Sequence, residues 1–190
     1  MAWVACVDES MRSPQDQTEG RYVLAAAVIE QTDVEAARET VRGLALRNRL
    51  PFHWRLEQPP RRSKAVDLVA ELTALHLVVV GAPLNPAKQE RARRLCLARL
   101  LHELEVAGVE QVWLEARTPS LNARDIAAVR ALRSRRVIHH GIRVDHRYPS
   151  DEPLLWIPDI VAGVVGAVDD VEGYRDRLDG VLTTYHIRLD

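Results

Sequence analysis

WVACV at residues 3–7 is apolar on both faces that an extended backbone presents, and YVLAAAVI at 22–29 and the β-branched LVVV at 77–80 read as further strands. Successive side chains of a strand point to opposite sides, so a strand without a polar face must be covered from both sides. Between and after these stretches the apolar spacing changes to the helical period. Residues 32–50 carry Val34, Ala37, Val41 and Leu44 on one stripe, with Thr32 and Glu35 spaced as a capping box. Ser63 is expected to start a second helix, and Asn85, Pro86 and Gly108 punctuate a third with Ala92, Leu95, Ala98, Leu101 and Leu104 as its apolar positions. QVWLEAR and IRVDHRYP read as further strands, LNARDIAAVRALRSRR as a helix, and residues 158–178 as a final helix or a broken pair. LPFHWRLEQPP reads as a short edge strand or an extended crossing segment. The first two strands, joined by a polar loop with Pro14 and Gly20, suggest an antiparallel pair. The pattern predicts an α/β domain, a mixed sheet flanked by helices, with residues 1–190 as a single unit.

The opening strand raises a charge problem. In WVACVDES, Asp8 shares its face with Val4 and Cys6, whereas Glu9 shares the other with Trp3, Ala5 and Val7. A carboxylate at the rim of a core needs a hydrogen bond, an arginine or a metal ion. QVWLEAR repeats the motif, an apolar strand closed by Glu115, and Asp159 stands among hydrophobic residues in LLWIPDIVAGVV. Carboxylates brought together repel unless a cation intervenes, and hard divalent ions such as Mg²⁺ or Mn²⁺ take oxygen ligands. The best-known use of such a group is phosphodiester hydrolysis, with two ions about 4 Å apart activating water and stabilising the leaving oxygen.

The order of these pieces, DES closing a first strand, YVLAAAVI, a histidine in FHW, VWLEAR and LLWIPDIVAG, resembles the family called domain of unknown function 3800 across nearly the whole chain. The resemblance implies a ribonuclease H-like fold whose acids fall at Asp8, Glu115 and Asp159, as ligands of Mg²⁺ or Mn²⁺ and as catalytic residues. The sequence departs from the family pattern at three places. Pro158 replaces an alanine, which puts Asp159 in a first helical turn near the positive dipole end. Glu115 replaces a frequent aspartate. Phe52 stands before His53 where an acid is common, leaving Glu9, Glu57 and Asp125 as substitutes for a fourth ligand.

His53, beside Trp54, suits phosphate positioning or proton transfer, or is a polar contact of a crossing segment. Lys64, Arg135 and Arg136 are candidate substrate-binding residues. The last two belong to a basic run with Arg130, Arg133, His139, His140, Arg143, His146 and Arg147 that either follows a nucleic-acid backbone, RNA or DNA, or is a solvated helix end. Zinc binding by His139, His140 and His146 is the weaker reading, because adjacent histidines of an extended chain face apart. Lys88, Arg91 and Arg94 read as the exposed face of their helix.

A formal net charge of -1 argues against bulk electrostatic coating of nucleic acid but leaves room for a local basic groove. No apolar stretch reaches the ~20 residues of a membrane span, and no basic segment precedes the first apolar run, so the sequence predicts neither a bilayer crossing nor a secretory signal, and a cytoplasmic location. Cys6 and Cys96 are expected as reduced core residues. Phosphate-binding glycine loops and a serine-nucleophile elbow are absent from the sequence. The function expected is a divalent-metal-dependent nuclease or phosphodiesterase. The alternatives are a non-catalytic nucleic-acid or protein-binding domain on the same fold, and hydrolysis of a small phosphorylated metabolite.

Overall fold

A computed structural model of the chain describes residues 2–13, 19–45, 51–139, 141–167 and 172–190. Six strands form one mixed sheet: β1 (Trp3–Arg12), β2 (Arg21–Glu30), β3 (Ala74–Ala82), β4 (Val109–Glu115), β5 (Arg143–Arg147) and β6 (Leu182–Arg188), in the spatial order β5-β4-β1-β2-β3-β6. β1, β2 and β3 are successively antiparallel, β4 and β5 run parallel to β1, and β6 runs parallel to β3.

The alternation read from the sequence sorts the side chains. Val23, Ala25, Ala27 and Ile29 of β2 enter one core with Val4 and Cys6, while Leu24, Ala26 and Val28 enter the other with Ala5 and Val7. The first core is covered by α1 (Val34–Arg42), α2 (Pro59–Glu71), α5 (Trp156–Gly166) and α6 (Tyr174–Arg177). The second is covered by α3 (Gln89–Val106) and α4 (Pro119–Ser134). Helix α5 is buried on every side, with Asp159 as its one half-exposed residue. A helix apolar all round belongs in a core, and this one lies across β1 and β2. Cys6 and Cys96 are buried free thiols. Among the described residues no helix is long and apolar enough to cross a membrane.

Several local expectations change. β1 does not end in its acids but runs on to Arg12, paired with β2 as far as Arg21, so Asp8 lies inside the strand. Thr32 and Glu35 form no capping box: Asp33 is the N-cap without a side-chain bond, and Glu35 pairs with Arg38. Helix α2 starts at Pro59 rather than Ser63, because prolines whose missing N–H groups are unneeded there fit a first turn. The crossing segment contains a single 3₁₀ turn, Trp54–Leu56, instead of a strand. In α3 the buried stripe is rotated to include Arg93, Cys96, Leu97 and Leu100, leaving Leu95 and Ala98 half-buried. Gly108, in the left-handed region at φ 79°, ends that helix as expected. The C-terminal part of the first expected helix, residues 46–50, lies outside the described residues, as does Pro14.

His76 of β3 is fully buried, and burial pushes its pKa down from 6.5 to about 4, against a smaller pull from the Val69 main chain. The folded state therefore binds fewer protons than the unfolded chain between those values, and stability falls as pH drops through that window. The loss amounts to about 3 kcal/mol by pH 4. His76→Leu is expected to flatten this part of the acid limb in urea melts taken from pH 7 to 4. An unchanged limb would assign the acid sensitivity elsewhere.

Candidate functional site

β4 pairs in parallel with β1 through Val7 and Leu114, so the next residues along, Asp8 and Glu115, emerge side by side on the α5 face. This is where the chain, having built outward from β1 through β2 to β3, returns to lay β4 on the other side of β1. Ligands of open α/β sheets collect outside the carboxyl ends of parallel strands at such a switch. Asp159 comes down on the same place from the first turn of α5, the position expected from Pro158. The structure thus brings all three sequence-identified acids into one electrostatic group.

Their protonation shows how closely they interact. Asp8 is held well above the usual carboxylate range, by burial first and then by the neighbouring charges of Glu115, Asp159 and Glu9, against a 2.7 Å bond donated by the Glu9 main-chain N–H to Asp8 Oδ1. Glu115 is pushed up to about 7 by burial, Asp159 and Glu9, although its carboxyl group is hydrogen-bonded to that of Asp8. Asp159 is also raised by burial, opposed by the Trp54 N–H donated to Asp159 Oδ2 at 2.8 Å and by the charges of His53 and Arg55. Two carboxyl groups that bond each other must share a proton, which leaves the group short of positive charge.

The wall opposite α5 comes from the crossing segment. Gly163, one helical turn beyond Asp159, opens a slot for the Trp54 indole: a Cβ at Gly163 would lie 2.2 Å from the ring. Tyr174 meets that ring edge-on with centroids 5.7 Å apart, and the Arg62 guanidinium lies 5.0 Å over it while donating to the Trp54 carbonyl at 3.0 Å. So fixed, Trp54 holds its main-chain N–H against Asp159. His53, just before it, is exposed and near enough to act on Asp159. Arg55 crosses to β1, donating to the Met11 carbonyl at 2.8 Å.

The substitutes for a fourth ligand are all engaged elsewhere. Glu57 pairs with Arg61 at 2.6 Å, and Glu9, on the opposite face from Asp8, pairs with Arg93. Asp125 receives a two-pronged bond from Arg93, 2.9 Å on each side, and further contacts from Arg117 at 3.0 Å and His146 at 3.2 Å. Burial would raise Asp125, but the bonds from His146 and Arg93 outweigh it and hold the carboxyl well below the usual range. Among the described residues no group of three or more His, Cys, Asp or Glu side chains is arranged to hold a metal ion.

The other candidates separate. Lys64 is exposed in a groove between α1 and α2 to which none of the three acids contributes. Arg135 lines a groove between α3 and α4, and Arg136 is exposed with a positive φ of 57°. The zinc triad does not assemble: His139 bonds Glu105, His146 bonds Asp125, and His140 lies outside the described residues. Missed by sequence reasoning were Trp54, Gly163, Arg55 and Arg93. The last carried a signal, since Arg93, Leu97, Leu100 and Leu104 follow helical spacing and put a charge in an apolar stripe.

No protein-family model matches the chain, and a search of the curated proteins found no match either.

Proposed function

We propose that the chain is a divalent-metal-dependent phosphodiester hydrolase of ribonuclease H-like type, with Asp8, Glu115 and Asp159 as its acidic group. The observation that carries this reading is the gathering of three acids from β1, β4 and α5 at the sheet's switch point, where the charges of Glu115 and Asp159 raise Asp8 and that of Asp159 raises Glu115. Oxygen donors that repel in the absence of a cation fit Mg²⁺ or Mn²⁺ in their chemistry. The mixed six-stranded sheet with helices on both faces is compatible with the ribonuclease H-like expectation.

When bound, such an ion supplies a charge that polarises the phosphoryl group and lowers the pKa of attacking water. The residues present would divide the remaining work. Asp8 and Glu115, paired across adjacent strands, are the ligands whose shared proton must leave before an ion binds. Asp159 is oriented by the Trp54 N–H, which fixes one of its oxygens and leaves the other available. His53, exposed at the rim, is placed to contact a scissile phosphate or carry a proton.

A second reading, a non-catalytic nucleic-acid or protein-binding domain, is favoured by the lack of a ready three-ligand group among the described residues and of a free fourth acid. Metal-linked stability separates the two. Mn²⁺ at about 100 times its dissociation constant is expected to stabilise the fold by ~2.7 kcal/mol, a rise in melting temperature of about 5–10 °C. No shift, together with no heat of binding in calorimetry, would establish the binding-domain reading instead.

A further inference from the structure

Helices α3 and α4 leave between them a groove of about 710 Å³, lined by five arginines, Arg91, Arg93, Arg94, Arg124 and Arg135, against two carboxylates, Glu90 and Asp125. Both carboxylates are ion-paired, Glu90 with Arg117 and Asp125 with Arg93 and Arg117, in a network that with Glu9 sets three acids against two guanidinium groups. Arg93 is neutralised in turn by Glu9 and Asp125. Arg94, Arg124 and Arg135 are exposed and have no ion-pair partner among the described residues. Arg91 donates to the main-chain oxygens of Leu189 and Asp190, and its charge is partly met by Asp190, whose carboxyl it helps to hold below the usual range. Four guanidinium groups, three of them without an ion-pair partner among the described residues, therefore share one groove in a chain whose net charge is -1.

Their spacing selects the ligand. Arg124 and Arg135 stand eleven residues apart, about 16 Å along α4 at 1.5 Å per residue, with Arg91 and Arg94 on the facing helix. A charged track of that length exceeds what one phosphate can span, and guanidinium forks match phosphate oxygens two at a time. The cations line one groove between two helices, a single track that one strand's backbone can follow. No aromatic ring lines the groove, so nothing there stacks on bases and recognition is by backbone charge.

We propose that the α3–α4 groove binds the phosphodiester backbone of a single-stranded nucleic acid, without sequence preference. Its inner wall lies on the other face of the sheet from the acidic group and is linked to it through β1: Arg93 pairs with Glu9, whose main-chain N–H bonds Asp8. The use of this binding for cleavage rests on the hydrolase reading; the binding does not.

The test is fluorescence anisotropy of a labelled single-stranded DNA oligonucleotide with the intact protein in EDTA, across 50 to 200 mM NaCl. Four backbone contacts predict a slope of log affinity against log salt near -2.8, a ~50-fold loss over that range. The double variant Arg94→Gln, Arg124→Gln is expected to halve the slope at unchanged melting temperature, whereas Arg99→Gln, on the same helix outside the groove, leaves it unaltered. Three results would overturn the proposal: no salt-dependent binding by the wild type, equal binding by the double variant, or equally tight binding of polyglutamate or of a duplex. Because the assay contains no metal, its failure leaves the metal-linked stability test standing, and the reverse holds too.

Discussion

Asp8→Asn is expected to make the protein more stable and less active at once. In the metal-free fold, the three acids keep raised pKa values, so the folded state holds protons that the unfolded chain has released, and stability falls as pH rises from about 4 through the Glu115 value near 7. Asparagine keeps the size of Asp8, accepts the Glu9 N–H bond and removes the charge that burial and three neighbouring acids oppose. The relief is expected as a higher melting temperature at pH 8 without metal. The same change removes a ligand of the proposed ion, so the Mn²⁺-dependent rise disappears and turnover on a cleavable phosphodiester falls by ~10²–10³-fold. Opposite signs are the signature of residues held together for function at the expense of the fold. Thermal melts with and without Mn²⁺, beside a survey of RNA, DNA and hybrid cleavage, check both halves. If the variant melts lower without metal, the repulsion argument fails, and if it cleaves as well as the wild type, Asp8 is not a ligand.

Gly163→Ala is the second large effect. A single methyl group at this position would overlap the Trp54 ring at 2.2 Å, inside a helix whose neighbours are all buried. Helix α5 is gripped by both central strands, so the indole must yield. Expelling it costs about 3–5 kcal/mol, the range for losing a buried aromatic side chain. The damage has a direction, because Trp54 also carries the N–H that fixes Asp159. A small residue in its place, as in the double variant Trp54→Ala, Gly163→Ala, removes the overlap and is expected to be less damaged than the sum of the two single variants. Denaturant melts of all four proteins measure that coupling. Strict additivity would mean that glycine and tryptophan act independently.

Much of the fold could be read from spacing. A first strand apolar on both faces required helices on both sides, and the alternation in β1 assigned Asp8 and Glu9 to opposite faces correctly. The three acids converge because two sit at adjacent registers of neighbouring strands and the third on the helix that covers them, a placement in which local pattern and topology agree. What escaped notice depended on distant partners. β6 is an edge strand with exposed Thr183, Thr184, His186 and Arg188 and a half-buried Tyr185, and its pairing with β3 decides its conformation. Trp54 looked like a residue of an extended segment because the slot that receives it is made by a glycine more than a hundred positions later. Arg93 was hidden among arginines, although its place on the apolar stripe of Leu97, Leu100 and Leu104 sets it apart from Arg91 and Arg94.

Asp8 and Glu9 make the length of the first strand as constrained as its composition. One carboxylate belongs to the acidic group with Glu115 and Asp159, and the next belongs to the arginine-bonded network of Arg93 and Asp125, with a single peptide unit between them. Deleting one residue between Val4 and Val7 would bring Glu9 into the cation-poor group and carry Asp8 out of it, whereas inserting one would put Asp8 against the arginine network and leave Val7 in its place. Substitutions in this strand can be graded and tolerated one by one. A change of length has no mild form, and the only place where the pairing of β1 with β4 already slips is at Trp3 and Val4, ahead of the region that must stay in phase.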